Sequence, residues 1–408
     1  MKQPKLLFVW MAIFLLVGLT SCSEEDKSVF GDDFEIPELT DANTIQFTVE
    51  ATNDWKQLQV IASGQKIAIE WGDGRLQKVA NPNGLAINYR YGNLKSYRVR
   101  IWAEELIFCN IGDGLVSVKE LKIGYLPQMK DLVLNSFKET KRLDIGRSCP
   151  NLETANIGNF ADLESVNWEG CSQIEKIQLY SNPKLITRSF GDLPKLKELA
   201  YIANGETALT ISGLPALEGI GCPNSKLESL TLKDLPKLAL IECTYNELTS
   251  LSLKGLSNLR SLSCSNNPQL SAINFDDNSA VSNLSIEACA FRSIDFLDKL
   301  PQLDDFDCSF NQLTELNLSA NGLVVELYCH GNRLESLLLP NPNNLREVSC
   351  FSNRLSASVL NTVFGQLNSY YQLNHPYSGY LSFYDNPGAK DCNSSILNNK
   401  GWKIIDKK

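Results

Sequence analysis

The stretch Leu238-Ala239-Leu240-Ile241-Glu242-Cys243-Thr244-Tyr245-Asn246-Glu247-Leu248 decides the fold, because its frame, LxxLxCxxNxL, returns about every 21 residues. Cys222 opens the series. A looser copy follows at Leu262, Cys264, Asn267 and Leu270. Further copies run Phe306, Cys308, Asn311, Leu313, then Leu327, Cys329, Asn332, Leu334, then Val348, Cys350, Asn353, Leu355. A fixed period with apolar residues at fixed offsets means coils stacked on one another.

The half-unit LxxLxL reaches further back. It falls near Leu121, Leu132, Leu143, Ala155, Val166 and Ile177, and resumes at Leu199, Leu209, Ile220, Leu230, Ile241, Leu251 and Leu262. Beyond these it continues at Ile273, Leu284, Ile294, Phe306, Leu316, Leu327, Leu337 and Val348. Successive spacings are 10 to 12 residues, with a single gap of 22 between Ile177 and Leu199. Two half-units make one coil, so each coil carries two short strands on opposite sides. Leu121-Lys122-Ile123 and Leu251-Ser252-Leu253 show the period-2 alternation of strands with one buried face. The pattern predicts a mainly β chain built as a leucine-rich repeat solenoid, with coils of about 21–22 residues.

In this frame the cysteine slot points inward, where a small apolar side chain suits a narrow core. Ile286 takes the slot between Cys264 and Cys308, and Cys289 stands where other coils put asparagine. Asn246, Asn267, Asn311, Asn332 and Asn353 form a second ladder whose amides would bond backbone groups left unpaired by the turn. Neighbouring ladder cysteines lie close, but their Cβ vectors run parallel, which strains a disulfide dihedral. Eleven cysteines besides Cys22 is also an odd number. The ladder thiols are therefore expected to be reduced and structural, without the CxxC spacing of a metal site.

Cysteine in place of leucine, with asparagine three residues later, resembles the cysteine-ladder branch of the internalin-like leucine-rich repeat proteins. The likeness is close over residues 217–355 and loose over 118–216, where the earlier coils lack both ladders. It implies a bacterial surface protein whose repeat binds a protein or a glycan. Members commonly attach by a C-terminal sorting motif, which is not found in this sequence.

Anchoring is read at the other end. Lys2 and Lys5 precede an apolar run from Leu6 to Leu19, too short for a comfortable span of about 20 residues. Leu19-Thr20-Ser21-Cys22 resembles a lipobox, in which the Cys22 thiol is acylated and becomes the mature N-terminus. Residues 1–21 are thus expected as a lipoprotein signal peptide and 22–40 as an acidic tether. Ser23-Glu24-Glu25-Asp26-Lys27 resembles the surface-export signal of lipoproteins in Gram-negative anaerobes; its plainer reading is a solvated linker. The resemblance implies an outer-membrane lipoprotein facing the cell exterior. A net charge of −9 and a pI near 5.0 argue against nucleic acid or an anionic membrane face as partner.

Residues 41–104 read as a separate small β domain, with strands at Thr44–Glu50, Gln57–Ala62, Lys66–Trp71, Ala86–Tyr91 and Tyr97–Trp102. Ile67-Ala68-Ile69-Glu70-Trp71-Gly72-Asp73-Gly74, Tyr89-Arg90-Tyr91 and Tyr97-Arg98-Val99-Arg100-Ile101 resemble the PKD-type β-sandwich in a shortened form. Asp73 reads as a turn former and not as a calcium ligand. The solenoid is placed at 105–356. Residues 357–408 read as a cap, with a helix over Ala357–Leu367 and a strand at Gly379–Phe383 closing the last core layer.

Catalysis finds little support. The chain has two histidines, His330 and His375, and alternation turns Cys329 and His330 to opposite faces. No GxSxG, HExxH, Walker-type or GxGxxG motif occurs. No cofactor or metal is expected, and a monomer is. The outward columns beside the ladder supply a candidate binding face: Tyr245, Asp307, Phe310, Tyr328, His330 and Phe351. The chain thus reads as a non-enzymatic, lipid-anchored surface binding protein of adhesin or receptor type, recognising a protein or glycan. The alternative is a structural or scaffold lipoprotein in an envelope complex.

Overall fold

A computed structural model of the protein describes residues 34–52, 57–112, 117–187, 189–277, 279–341, 343–370 and 378–405. The expected signal peptide, Cys22, most of the tether and His375 lie outside the described residues. Two compact units divide the chain, Met1–Gly205 and Glu206–Lys408. No helix among the described residues is long and apolar enough to cross a membrane.

Six strands open the first unit: β1 (Ile45–Glu50), β2 (Gln57–Glu70), β3 (Leu76–Val79), β4 (Leu85–Arg90), β5 (Ser96–Ile111) and β6 (Ser117–Ile123). β2 pairs antiparallel with β4 through Val60↔Ile87, with β3 through Ile67↔Val79, and with β5 along most of its length. β1 lies antiparallel between β5 and β6. The small N-terminal β domain is therefore one hydrogen-bonded sheet in which β2 and β5 each serve two sets of neighbours.

The two strands expected at Gln57–Ala62 and Lys66–Trp71 are a single strand. Ser63-Gly64 is not a turn between them but an irregularity in the β2–β5 register. A Cβ at Gly64 would collide with the Glu105 carbonyl, so glycine lets the strand pass where a side chain would part it from β5. The aromatic residues pack as a cluster, Trp71 on Tyr89 at 4.4 Å and Tyr91 on Tyr97 at 4.3 Å. Asp73 closes the following turn by accepting from the Arg75 N–H at 3.1 Å, and it also accepts from the Tyr89 hydroxyl.

β5 crosses the expected border at residue 105 without interruption. Its end pairs parallel with Asp131–Asn135, with Cys109 opposite Leu132, and so provides the first rung of the parallel stack. Above it come Thr154–Gly158, Lys176–Tyr180 and Glu198–Ile202, with Leu132, Ala155, Ile177 and Leu199 in register. On the other side Arg142–Asp144 pairs with Ser165–Asn167, Leu143 opposite Val166. The half-unit at Leu121 lies on strand β6, which serves both sides: it pairs antiparallel with β1 of the N-terminal sheet and parallel with Phe137–Lys138, Val118 opposite Phe137.

In the second unit the stack runs through Ile220, Ile241, Leu262, Leu284, Phe306, Leu327 and Val348, each opposite the next. Pairs at Leu209↔Leu230, Leu251↔Ile273 and Leu316↔Leu337 form the opposite side. The half-unit at Ile294 has no strand, and Leu297–Lys299 forms a short 3-10 turn instead. The fold is the expected leucine-rich repeat solenoid, mainly β, with the periodic residues as its core. Each fully buried leucine contributes about 1.5–3 kcal/mol relative to exposure.

The ladder cysteines Cys222, Cys243, Cys264, Cys308, Cys329 and Cys350 are all fully buried and free. The asparagine ladder bridges successive coils. Asn311 donates to the carbonyls of Ile286 at 2.8 Å and Cys308 at 3.1 Å, and accepts from the Phe291 N–H at 3.0 Å. Asn267, Asn332 and Asn353 repeat the arrangement. This ladder is longer than the sequence suggested. Asn182 and Asn204 in the first unit donate to the Ile157 and Leu179 carbonyls, so those earlier coils lack the cysteines and not the asparagines.

The residue before each ladder position is left-handed, a feature the repeat did not announce. Asn224, Tyr245, Asn266, Ala288, Phe310, Gly331, Ser352 and Asp385 all have φ between 52° and 66°. Its N–H donates to the next coil, Tyr245 to the Ser265 carbonyl at 3.0 Å and Phe310 to His330 at 2.9 Å.

The helix forms over Ala357–Gln366, its N-cap Ser356 accepting from the Val359 N–H at 3.3 Å. Leu360, Val363, Phe364 and Leu367 are buried beneath it. Gly379–Ser382 and Trp402–Ile404 then add two parallel strands, Leu381 opposite Val348 and Ile404 opposite Leu381. Cys392 is only half-buried.

Candidate functional site

Alternation sets the site. In each coil the residue between the two buried positions points out of the stack, as do the residues two before and two after it. The strand pairing gives two outward columns in the second unit. The first carries Asp305, Glu326, Glu347 and Tyr380, and the middle carries Asp307, Tyr328, Ser349 and Ser382. Continuing the same register gives a third column of Ser309, His330, Phe351 and Tyr384.

That third column is a stack of rings. His330 lies on Phe351 at 4.3 Å and 18°, and Phe351 on Tyr384 at 4.4 Å and 15°. Phe310 meets His330 edge-on at 5.0 Å. Phe310 is 51% exposed, and a Cβ at Gly331 would come within 2.6 Å of its ring. Glycine at 331 thus serves two needs, the left-handed backbone and room for that ring.

Polar contacts tie the columns together. The Ser349 hydroxyl is 3.1 Å from His330 Nδ1 and accepts from the Ser382 hydroxyl at 3.0 Å. Tyr328 donates to Glu326 at 3.2 Å, and Asp307 accepts from the Ser309 N–H at 2.9 Å and hydroxyl at 2.6 Å. Burial holds the His330 pKa below its ordinary value, opposed by Asp307. Burial, reinforced by Glu347 and Glu326, raises the Tyr328 hydroxyl above its usual range. Burial and then Asp307 likewise raise the Glu287 carboxyl.

Of the sequence-predicted residues, Phe310, His330 and Phe351 come together, with Asp307 and Tyr328 in the column beside them. Tyr245 does not join them. It is 58% exposed but lies three coils from Phe310 in the left-handed column, roughly 14 Å away at about 4.8 Å per coil. Tyr384 and Tyr380 extend the face and were missed. The signal for them is present in Leu381, Phe383 and Asn386, which repeat the ladder frame with phenylalanine in the cysteine slot. Asn386 indeed donates to the Cys350 carbonyl at 3.0 Å.

The buried ladder thiols Cys222, Cys308, Cys329 and Cys350 are poor nucleophiles. Burial pushes Cys350 up to about 12, and Cys222, Cys308 and Cys329 are also raised well above the ordinary value.

The coil geometry defines the class as a leucine-rich repeat β-solenoid. No family model and no curated protein matches the chain. Among solved structures it is similar to the LRIM1/APL1C complex, at 17% identity and a TM-score of 0.45, over 65% of this chain and 55% of that one. The match thus spans little more than half of that chain's length. A second likeness is to the functional domain of InlJ from Listeria monocytogenes, which includes a cysteine ladder. There the identity is 18% and the TM-score 0.27, over 63% of this chain and 69% of that one.

Proposed function

We propose that this chain is a non-enzymatic surface binding protein, held to a membrane by acylation of Cys22 and recognising a protein or a glycan through the outward sheet face of its second unit. The observation that carries the reading is the row of rings at Phe310, His330, Phe351 and Tyr384, half-exposed on a regular face and flanked by carboxylates. Exposed aromatics in a contiguous patch favour interaction, since they bury large area at little entropic cost. A non-enzymatic role is supported by the ladder thiols, which burial raises well above their ordinary range. Several acyl chains on Cys22 would give a stable anchor, at about 0.8 kcal/mol per buried CH2.

The test is protease shaving of intact cells, paired with palmitate labelling of the native chain and of Cys22→Ser. Loss of the full-length band without lysis, with label lost in Cys22→Ser, supports a lipid-anchored protein facing outward. Full protection, with co-purification of envelope proteins, overturns the surface-binding reading in favour of the scaffold one. Label retained in Cys22→Ser overturns the anchor.

A further inference from the structure

We propose that the partner of this face is an extended protein segment, lying along the coil stack with basic residues on one edge and apolar residues on the other. This rests on the binding reading above and goes further by choosing between its two ligand classes.

Three features of the face bear on the choice. The first is the ring geometry. A sugar packs on an open aromatic face, but His330, Phe351 and Tyr384 lie nearly parallel at 4.3 and 4.4 Å, which covers both faces of Phe351 and one face each of His330 and Tyr384. What they present outward is a ridge of ring edges, an apolar rim that suits aliphatic side chains. The second feature is width. Outward residues along one strand are spaced about 7 Å apart, so carboxylate column, middle column and ridge make a strip about 14 Å wide. Its middle is floored by the buried serines Ser349 and Ser382 at one end and by Asp307 and Tyr328 at the other. An extended chain laid there sends successive side chains alternately toward the carboxylates and toward the rings.

The third feature is charge. Asp305, Glu326 and Glu347 stand in register along one edge, with Asp307 inside them. Among the described residues Glu347 on that edge and Asp307 beside it make no ion pair, whereas many surface carboxylates do, as in Lys130–Glu153, Lys176–Glu198 and Lys197–Glu175 at 2.6–2.8 Å. A cationic segment is the electrostatic complement of such an edge. The negative run ends where Tyr380 pairs with Lys403, whose ammonium lies 5.9 Å from the Tyr380 ring. From the Asp305 coil to the Tyr380 coil is three steps, about 14 Å, which four or five extended residues cover.

The experiment uses the full chain and three fluorescent probes: a decapeptide alternating arginine and valine, one alternating glutamate and valine, and cellohexaose. The arginine peptide should bind at least about tenfold more tightly than the other two, and weaken as salt rises from about 0.05 to 0.5 M. Both the double variant Glu326→Gln/Glu347→Gln and, separately, Phe351→Ala should weaken it about tenfold. Equal binding of the glutamate peptide, unchanged affinity in the carboxamide variant, or no binding of the arginine peptide overturns the proposal. Cellohexaose binding that is lost in Phe351→Ala but kept in Glu326→Gln/Glu347→Gln overturns it while leaving the binding face itself intact.

Discussion

At the residue scale, asparagine does what no apolar residue in the same slot can do. Its amide caps carbonyls of two coils and its oxygen takes an otherwise buried N–H, as Asn311 does with Ile286, Cys308 and Phe291. Asn311→Ala leaves these groups dry and unpaired, at about 1–3 kcal/mol each. With three groups affected we expect a total loss of about 3 kcal/mol or more, read as a lower urea midpoint at constant slope. A change near zero would mean that water replaces the amide. A second prediction concerns Glu287. Burial and the neighbouring Asp307 raise its folded pKa above 4.5, so the folded state binds the proton more tightly than the unfolded one. Glu287 therefore costs stability above its raised pKa, and the cost fades as pH falls through that pKa toward 4.5. Glu287→Gln should be more stable than the native chain at pH 7 and should lose that advantage on acidification; an advantage independent of pH would exclude the cause given. Much of this scale was legible, because Asn246 to Asn353 carry the frame openly. Asn182 and Asn204 were hidden by Leu179 and Tyr201, which fill the slot that cysteine marks later. The left-handed position was only half legible: Asn224, Asn266, Gly331 and Asp385 carry the chemistry that usually betrays it, whereas Tyr245, Ala288 and Phe310 do not.

At the scale of elements, periodicity located almost every strand because a single inward residue per strand must be apolar, and Ile241, Leu262 and Phe306 all are. It failed where an element is long. β2 reads as two strands because Ser63-Gly64 looks like a turn, yet only the β2–β5 pairing reveals why glycine is there. A Cβ at 64 meets the Glu105 backbone, whereas one at Gly74, also at positive φ, meets nothing within 4 Å. Gly74→Ala should cost only the left-handed strain of about 1–2 kcal/mol. Gly64→Ala must in addition push apart two backbones and should cost about 2–4 kcal/mol, seen as the larger drop in thermal midpoint. Equal drops would show that β5 yields freely at Glu105. The half-unit at Ile294 failed for the opposite reason: an apolar pattern suffices for burial, but Leu297–Lys299 turns too tightly there to leave a strand.

At the scale of the whole molecule, a solenoid's stability is a sum of coil terms and neighbour terms, so damage at an end should fade inward coil by coil. The cysteine ladder makes that testable, because each rung carries its own thiol and the thiols are silent while buried. At pH 8 iodoacetamide should label Cys392, which is half-buried, and none of Cys222, Cys243, Cys264, Cys308, Cys329 and Cys350. Removal of residues 379–408 takes away the strand that pairs at Val348, the strand beyond it, and the ring of Phe383 that packs on Phe364 at 5.1 Å. Cys350 should then label fastest and Cys329 more slowly, while Cys222 stays protected. Its environment, by contrast with theirs, keeps every neighbour it had, since its backbone N–H still donates to Glu242 and its carbonyl still accepts from Asn246. Uniform labelling of all six would mean that the second unit opens in one cooperative step, and the additive picture of its coils would fall. No labelling at all would mean that the helix Ala357–Gln366 alone seals the last core layer, which its buried Leu360, Val363 and Phe364 would then have to do without the strands beyond them.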